Sequence, residues 1–258
     1  MSVITFTSDW GLKDHYLGAV KGKLLKLLPG TQLVDISHQV PPFSSIQAAF
    51  ILRNCYRDFP EGTIHILAVN TEESDKFPHC IVEMNKQYFI GTDNGTFSLI
   101  FDKKPDRIIE LDILQDSNHF TFSTYDRFIK AAVELIKGTE TDKLGDIREK
   151  LVEKISFNPV TEGNIMKGMV IYVDNYQNVI TNITEDKFNA FGKKRKFEIL
   201  LRGESLNKIY TSYSDVPVGE IVALFGTHGH LEIAVNQGNA SGLLGLYLDR
   251  TIRIEFYD

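Results

Sequence analysis

Two aspartates, Asp9 and Asp14, bracket the segment SDWGLKD between an apolar, β-branched run, VITFT, and a helical pattern over 14–28. Asp14 sits where a helix N-cap is expected, so turn chemistry is one account of it beside a functional role. Asp9 lies in the strand-to-helix loop, at the carboxyl end of a first strand, where open α/β sheets bind ligands. Capping explains only one of the pair. Five further polar clusters follow: VNTEESD (69–75), GTDNGTFS (91–98), TFSTYDRF (121–128), VDNYQNVITNI (173–183) and GTHGHLEIAVNQGNAS (226–241). Each is rich in Asp, Asn, Gly and hydroxyl residues, which also make turns. Their recurrence at strand ends in both halves points to a polar small-molecule site assembled between domains.

Other chemistries lack their signatures. There is no G-x-G-x-x-G, no G-x-x-x-x-G-K-[ST] loop, no G-x-S-x-G elbow and no H-E-x-x-H. His228 and His230 would share a face if they lay in a strand, but two histidines alone do not make a metal site. Cys55 and Cys80 are the two cysteines, without a C-x-x-C, and read as small core hydrophobes in a reducing, cytoplasmic setting.

The elements that must hold these clusters divide in two. Over 1–150, strand-like runs (VITFT, QLVDIS, TIHILAV, CIVEM, QYFIG, RIIELD) alternate with helical patterns at 14–28, 45–57 and 126–137. The first helix would bury Tyr16, Leu17, Val20, Leu24, Leu27 and Leu28 on one face. This βαβ alternation predicts an α/β N-terminal domain with a mainly parallel sheet. A charged stretch, 138–160, changes character, with a linker at 151–163. Over 164–258 the helical period disappears. The runs MKGMVIYVDNYQNVITNI, KRKFEILLRG, NKIYTSYS, EIVALFG, HLEIAVN and TIRIEF predict a smaller antiparallel β-barrel C-terminal domain. GKKRK (192–196) reads as a solvated hairpin tip.

Composition agrees with a globular core: 43% of residues are hydrophobic, 24% are charged, and the formal net charge is −6. That acidic balance argues against nucleic acid or an anionic membrane as partner. No apolar run approaches the roughly 18 residues of a membrane span, and MSVITFTSDW carries no export signal.

The ordered set SDWGLKDHYLGAVKG, DISHQVPPF, GTDNGTFS, TFSTYDRF, VDNYQNVITNI and YSDVPVGEIVALFGTHGHLEIAVNQGNAS resembles the S-adenosylmethionine hydroxide adenosyltransferase family, from about residue 3 to 256. That superfamily also contains the fluorinating and chlorinating S-adenosylmethionine enzymes. The resemblance implies an α/β domain, a β-barrel domain, and homotrimers whose site lies between the N-terminal domain of one subunit and the C-terminal domain of the next. It implies in-line attack of water on the ribose 5′ carbon of S-adenosylmethionine, releasing adenosine and L-methionine with no metal or cofactor. Under it, Asp9 accepts hydrogen bonds from the ribose hydroxyls and Phe43 packs on the ribose. Asp14 and Asp174 face the methionine ammonium, and Thr227 stands at a methionine-binding serine position. Asn178 and the backbone from Asn236 to Gly238 read adenine, and Tyr213 stacks on it. Each has an ordinary alternative: Phe43 and Tyr213 as core or rim aromatics, Asn178 as a turn residue.

One part of the family pattern is missing. Hydrolase members carry an Asp–Arg–His set that positions the attacking water: an Asp in VDPGVG, an Arg seven residues later, and a His in TFHGRD. Here these positions hold Asn70, Phe77 and Ser123, followed by Thr124. Asn70 and Ser123 can hydrogen-bond a water, but neither is a charged or basic partner at neutral pH. Asp75 and Lys76 are charged groups nearby that could substitute. Three readings compete: a hydrolase with a modified water site, which is the expectation; an S-adenosylmethionine or adenosine-binding homologue without turnover; and adenosyl transfer to another nucleophile such as halide. Thr124 matches a hydroxyl that halogenating relatives use, but the compact IVEMNKQYFIGTDNG lacks their inserted loop.

Overall fold

The computed structural model describes residues 2–116, 121–154 and 158–257. The chain forms two compact units, Met1–Ile155 and Ser156–Asp258. Within the expected linker 151–163, residues 155–157 lie outside the described residues.

The first unit contains β1 (Val3–Ser8), α1 (Tyr16–Leu27), β2 (Gln32–Ser37), α2 (Ser45–Arg53), β3 (Ile64–Ala68), β4 (His79–Met84) and β5 (Gln87–Thr92). Then come α3 (Thr96–Ile100), β6 (Arg107–Leu111), a π-helical turn (Thr124–Phe128) that runs into α4 (Ile129–Ile136), and β7 (Gly145–Ile147). The sheet order is β2-β1-β3-β5-β4-β6-β7. Strands β2, β1, β3 and β5 pair in parallel, whereas the β5–β4, β4–β6 and β6–β7 pairs are antiparallel. The sheet is therefore mixed rather than mainly parallel. The cause is local. Asn85 and Lys86 both adopt positive φ (54° and 58°), the geometry of a two-residue hairpin turn, and it folds β5 back onto β4.

Alternate strand residues serve opposite layers. Ile4, Phe6, Ile64, Ile66, Ile81 and Ile90 pack with Val20 and Leu24 of α1 and Ile129 and Ala132 of α4. Leu67, Cys80, Val82 and Phe89 pack with Ala49 and Leu52 of α2 and Phe97 and Ile100 of α3. In α1 the predicted apolar face is narrower than its spacing suggests, since Tyr16 and Leu27 are exposed. Its N-cap is His15, with no side-chain cap bond, so Asp14 does not cap it. The second predicted helix stops at Arg53 and continues only as a 3₁₀ turn at Tyr56–Asp58. Helix α3 and edge strand β7 are too short to leave a period in the sequence.

The second unit contains β8 (Val160–Glu162), β9 (Ile165–Val173), β10 (Val179–Thr184), α5 (Glu185–Gly192), β11 (Lys196–Leu200), β12 (Ser205–Leu206), β13 (Ile221–Phe225), β14 (His230–Val235), α6 (Ala240–Leu244) and β15 (Thr251–Tyr257). Its strands pair antiparallel in the order β12-β11-β15-β9-β10-β14-β13, with β8 on β9. A bridge from Tyr210 to Leu224 of β13 brings the chain beyond β12 back toward the other edge, which makes the sheet barrel-like. Its interior is filled by Met166, Val170, Ile183, Leu231, Ile233, Ile252, Ile254 and Phe256.

Two helices interrupt a region whose sequence shows no helical period. In α5, Thr184 accepts a hydrogen bond from Lys187 N as N-cap, and Lys193 closes the helix in a left-handed conformation (φ 48°). GKKRK is therefore a helix C-terminus leading into β11, not a hairpin tip. NKIYTSYS forms no strand beyond the Tyr210 bridge. Among the described residues, no helix is long and apolar enough to cross a membrane.

Candidate functional site

The second unit holds a cleft of about 760 Å³ lined by Asp174, Tyr176, Asn178, Tyr213, Val235, Asn236, Gln237 and Gly238. That volume lies within the range of small-molecule sites, roughly 300–1,000 Å³. The turn after β9 builds one wall. Asp174 Oδ1 accepts from Asn178 N (2.8 Å), and Oδ2 accepts from Asn178 Nδ2 (3.1 Å). Gln177 takes positive φ (68°) to close this turn. Burial raises the Asp174 carboxyl pKa, as does the nearby Glu232 charge, against the opposing Asn178 bonds.

Tyr213 begins a 3₁₀ turn set by a reciprocal Ser212–Asp215 capping box. Its hydroxyl donates to Glu232 Oε1 (2.7 Å), while His228 Nε2 lies 3.3 Å from Glu232 Oε2. Burial and Glu232 push the Tyr213 phenol well up. Beyond β14, Asn236 Nδ2 donates to Val216 O (2.8 Å), and Gly238 N donates to Val235 O (2.9 Å). The fold thus gathers Asp174, Asn178, Tyr213, Asn236 and Gly238 around one cleft. Thr227 is not among the lining residues; it stands exposed in the β13–β14 turn. His228 lies in that turn rather than in the strand with His230. The sequence reading missed Tyr176 and the buried Glu232, although an acid inside the apolar run HLEIAV was a usable signal. Asp174 and Glu232 make this region anionic, which favours a cationic ligand.

In the first unit, Asp9 Oδ2 accepts from Phe43 N (2.9 Å). Phe43 holds a positive φ (65°) and is 71% exposed, so a bulky ring is kept in an unfavourable backbone region and turned outward. The Asp9 loop is pinned from below. Gly11 N donates to His38 O (2.7 Å), and Ser8 Oγ and His38 Nδ1 are 2.6 Å apart. His38 Nε2 is 3.0 Å from Asp35 Oδ1, and Lys21 reaches Asp35 at 2.5 Å. Burial works to raise the Asp35 pKa, but Lys21 and His38 overcome it and hold it low. Trp10 stacks on His38 (6.2 Å) and meets Phe122 edge-on (5.4 Å), which joins this loop to the segment bearing Ser123. Asp14 stands exposed ahead of α1.

Asn70 leaves β3 with positive φ (49°), and its carbonyl accepts from Asn94 Nδ2 (3.1 Å). Ser123 and Thr124 are buried at the start of the π-helical turn. Phe77 pairs with Ser74 across a tight turn, and Asp75 and Lys76 stand exposed at its tip, with the Lys76 ammonium 5.1 Å from the Phe77 ring centre. A set that the sequence reading did not single out lies in the same region. Arg127 pairs with Glu73 Oε2, and His79 Nδ1 is 3.5 Å from Glu73 Oε1. Burial lowers the His79 pKa. Among the described residues, no group of three or more His, Cys, Asp or Glu could hold a metal ion.

Comparison with known proteins bears on both units. The family model described as SAM hydroxide adenosyltransferase N-terminal domain matches residues 4–145, and the corresponding C-terminal domain model matches 168–253. A Thermus thermophilus protein named (R)-S-adenosyl-L-methionine hydrolase is 29% identical, with 98% of this chain and 100% of that protein covered. A protein of the same name from Methanocaldococcus jannaschii is 27% identical over 96% of this chain and 94% of its own. A solved structure of an uncharacterized conserved protein from Thermotoga maritima superimposes with a TM-score of 0.86 at 28% identity, covering 98% of this chain and 99% of that one.

Proposed function

We propose that this chain, which belongs to the S-adenosylmethionine hydroxide adenosyltransferase family, hydrolyses S-adenosylmethionine to adenosine and L-methionine. The observation that carries this reading is the match of nearly the whole chain to proteins named as S-adenosylmethionine hydrolases. The chemistry asks little of the protein. A sulfonium is already an activated leaving group, so methionine departs as a neutral thioether, and no cofactor is needed. The protein must hold ribose and methionine so that a water lies in line with the 5′ carbon, and must shed competing solvent.

In this reading Asp9 accepts hydrogen bonds from the ribose hydroxyls, and the exposed Phe43 ring covers the sugar. Asn178, the backbone at Asn236–Gly238 and the Tyr213 ring recognise adenine, and their shared cleft supports that assignment. Asp174, Asp14 and Thr227 serve the methionine end; the anionic surroundings of Asp174 suit an ammonium and a sulfonium. Asn70, Ser123 and Thr124 hydrogen-bond the attacking water. Assembly as a homotrimer and a cytoplasmic location belong to the same proposal. The location is supported by the two cysteines, both of which are free.

The test is incubation of the purified protein with S-adenosylmethionine, chromatography of the products and calorimetry of adenosine binding. Equimolar adenosine and methionine, well above the blank, are expected; tight binding with no product would overturn hydrolysis. Asp9→Ala should weaken adenosine binding far more than Ser123→Ala, and equal effects would count against the site assignment. Sedimentation reads the oligomeric state directly, and fractionation of expressing cells reads the location.

A further inference from the structure

We propose that Glu73, held in place by His79 and Arg127, orients the attacking water and accepts its proton, replacing the Asp–Arg–His set that this chain lacks. The inference rests on the hydrolase reading above.

The loop that follows β3 explains how Glu73 reaches this position. Ser74 N donates to Phe77 O (3.1 Å) and Phe77 N to Ser74 O (2.9 Å), forming a miniature hairpin with Asp75 and Lys76 at its tip. That turn carries the two obvious charged substitutes outward. It folds Glu73 back against the start of β4, where His79 N donates to Glu73 Oε1 (3.4 Å) and the His79 ring stands beside it. Arg127 closes the other side. It donates to Glu73 Oε2, and its second terminal nitrogen is anchored on Leu111 O (3.0 Å).

The set adjoins two of the three altered positions, Asn70 and Ser123. His79 Nε2 donates to the carbonyl of Thr71, the residue after Asn70 (2.9 Å), and the His79 ring meets Phe128 edge-on (4.8 Å). Arg127 and Phe128 share the π-helical turn that Ser123 caps. Polar atoms nearby still have hydrogen-bonding capacity. Thr92 lies directly across from His79 in β5, and Thr124 lies in the same turn as Arg127. Both bury a hydroxyl oxygen that no protein group satisfies, and such atoms call for a water or a polar ligand atom. Exposure decides the roles within the set. The Glu73 side chain is 36% accessible, whereas Arg127 is 13% and His79 only 1%. Glu73 is therefore the member that can reach a water; the other two position it.

The step balances without a further reactant. Water oxygen forms a bond to the 5′ carbon as the carbon–sulfur bond breaks, and the electron pair of that bond stays on sulfur. The new C–O centre is an oxonium, strongly acidic, so its proton passes to Glu73 and then to solvent. A carboxylate accepts the proton of such an oxonium readily.

The test compares the wild type, Glu73→Gln, Glu73→Asp and Arg127→Lys. It reads adenosine formation at saturating and limiting S-adenosylmethionine over about pH 5–9, adenosine affinity by calorimetry, and Tm. Glu73→Gln is expected to lower kcat roughly 100-fold or more, to leave adenosine affinity unchanged, and to lose the acid limb of the rate profile. Glu73→Asp restores part of the rate. Arg127→Lys keeps the charge and lowers kcat without raising KM, which tests the set even if Glu73→Gln misfolds. An active wild type with an equally active Glu73→Gln overturns this inference alone. So does parallel loss of affinity and rate, because that marks a purely structural pair. A wild type that releases no adenosine overturns the hydrolase reading itself, and this inference with it.

Discussion

Ser8 Oγ and His38 Nδ1 lie 2.6 Å apart, both residues buried, and join the end of β1 to the segment that follows β2. The pair secures the loop on which Asp9 meets Phe43. Ser8→Ala strands a buried ring nitrogen, which costs roughly 1–3 kcal/mol. Urea unfolding should register that loss, and adenosine affinity should fall with it as the Asp9 loop loosens. An unchanged midpoint would show the pair to be dispensable.

Gly238 is the second site where geometry makes a sharp demand. A Cβ built there would meet Val235 Cγ1 at 2.4 Å, and both residues line the cleft. Valine is stiff about its first side-chain torsion, so the rim of the cleft must move instead. Gly238→Ala is expected to weaken adenosine binding by about tenfold, a shift of about 1.4 kcal/mol, with little change in Tm. Calorimetry at one temperature checks it, and unaltered affinity would remove Gly238 from the binding surface.

Some of this was readable from residue order, and the reasons differ by element. The run VITFT is β-branched and continuous, so a buried strand ending just before Asp9 follows directly, and β1 ends at Ser8. The turn motif around Asp174 and Asn178 is equally local: its bonds span four positions. What could not be read was non-local or short. The strand period is the same for parallel and antiparallel neighbours, so the reversal at Asn85–Lys86 stayed hidden, particularly without the glycine that usually marks such a turn. Helices α5 and α6 are eight and five residues long, too few turns to establish a period. The Glu73–Arg127 pair joins residues 54 positions apart through a π-helical turn, which no spacing rule anticipates.

Tyr213 allows its ring and its hydroxyl to be separated. The ring lines the cleft, whereas the hydroxyl donates to buried Glu232. Tyr213→Phe keeps the ring and should hold adenosine affinity within about threefold, while lowering stability by roughly 1–3 kcal/mol because Glu232 loses a donor. Tyr213→Ala also removes the stacking surface and should cost roughly 1–3 kcal/mol of binding. If Tyr213→Phe weakened binding as much as Tyr213→Ala, the hydroxyl rather than the ring would be the recognising group.

Stability should fall on mild acidification, and His65 gives the sign. The residue is fully buried in β3; Thr5 Oγ1 lies 2.8 Å from its Nδ1, and Phe89 stacks on the ring with centroids 4.7 Å apart. Burial lowers its pKa from 6.5 to about 4. Above about pH 6.5 the ring is neutral in both folded and unfolded chains, so its contribution is complete and constant. Between there and about pH 4 the unfolded chain binds a proton that the folded chain refuses, and stability drops by up to about 1.4 kcal/mol per pH unit. Across that window the loss from this one group is roughly 3 kcal/mol. His79, also lowered by burial, acts in the same direction. Urea midpoints measured from about pH 7.5 down to about pH 4.5 should therefore decline. His65→Gln, which cannot titrate, should flatten that slope, and an equal decline in the variant would show that His65 is not its source.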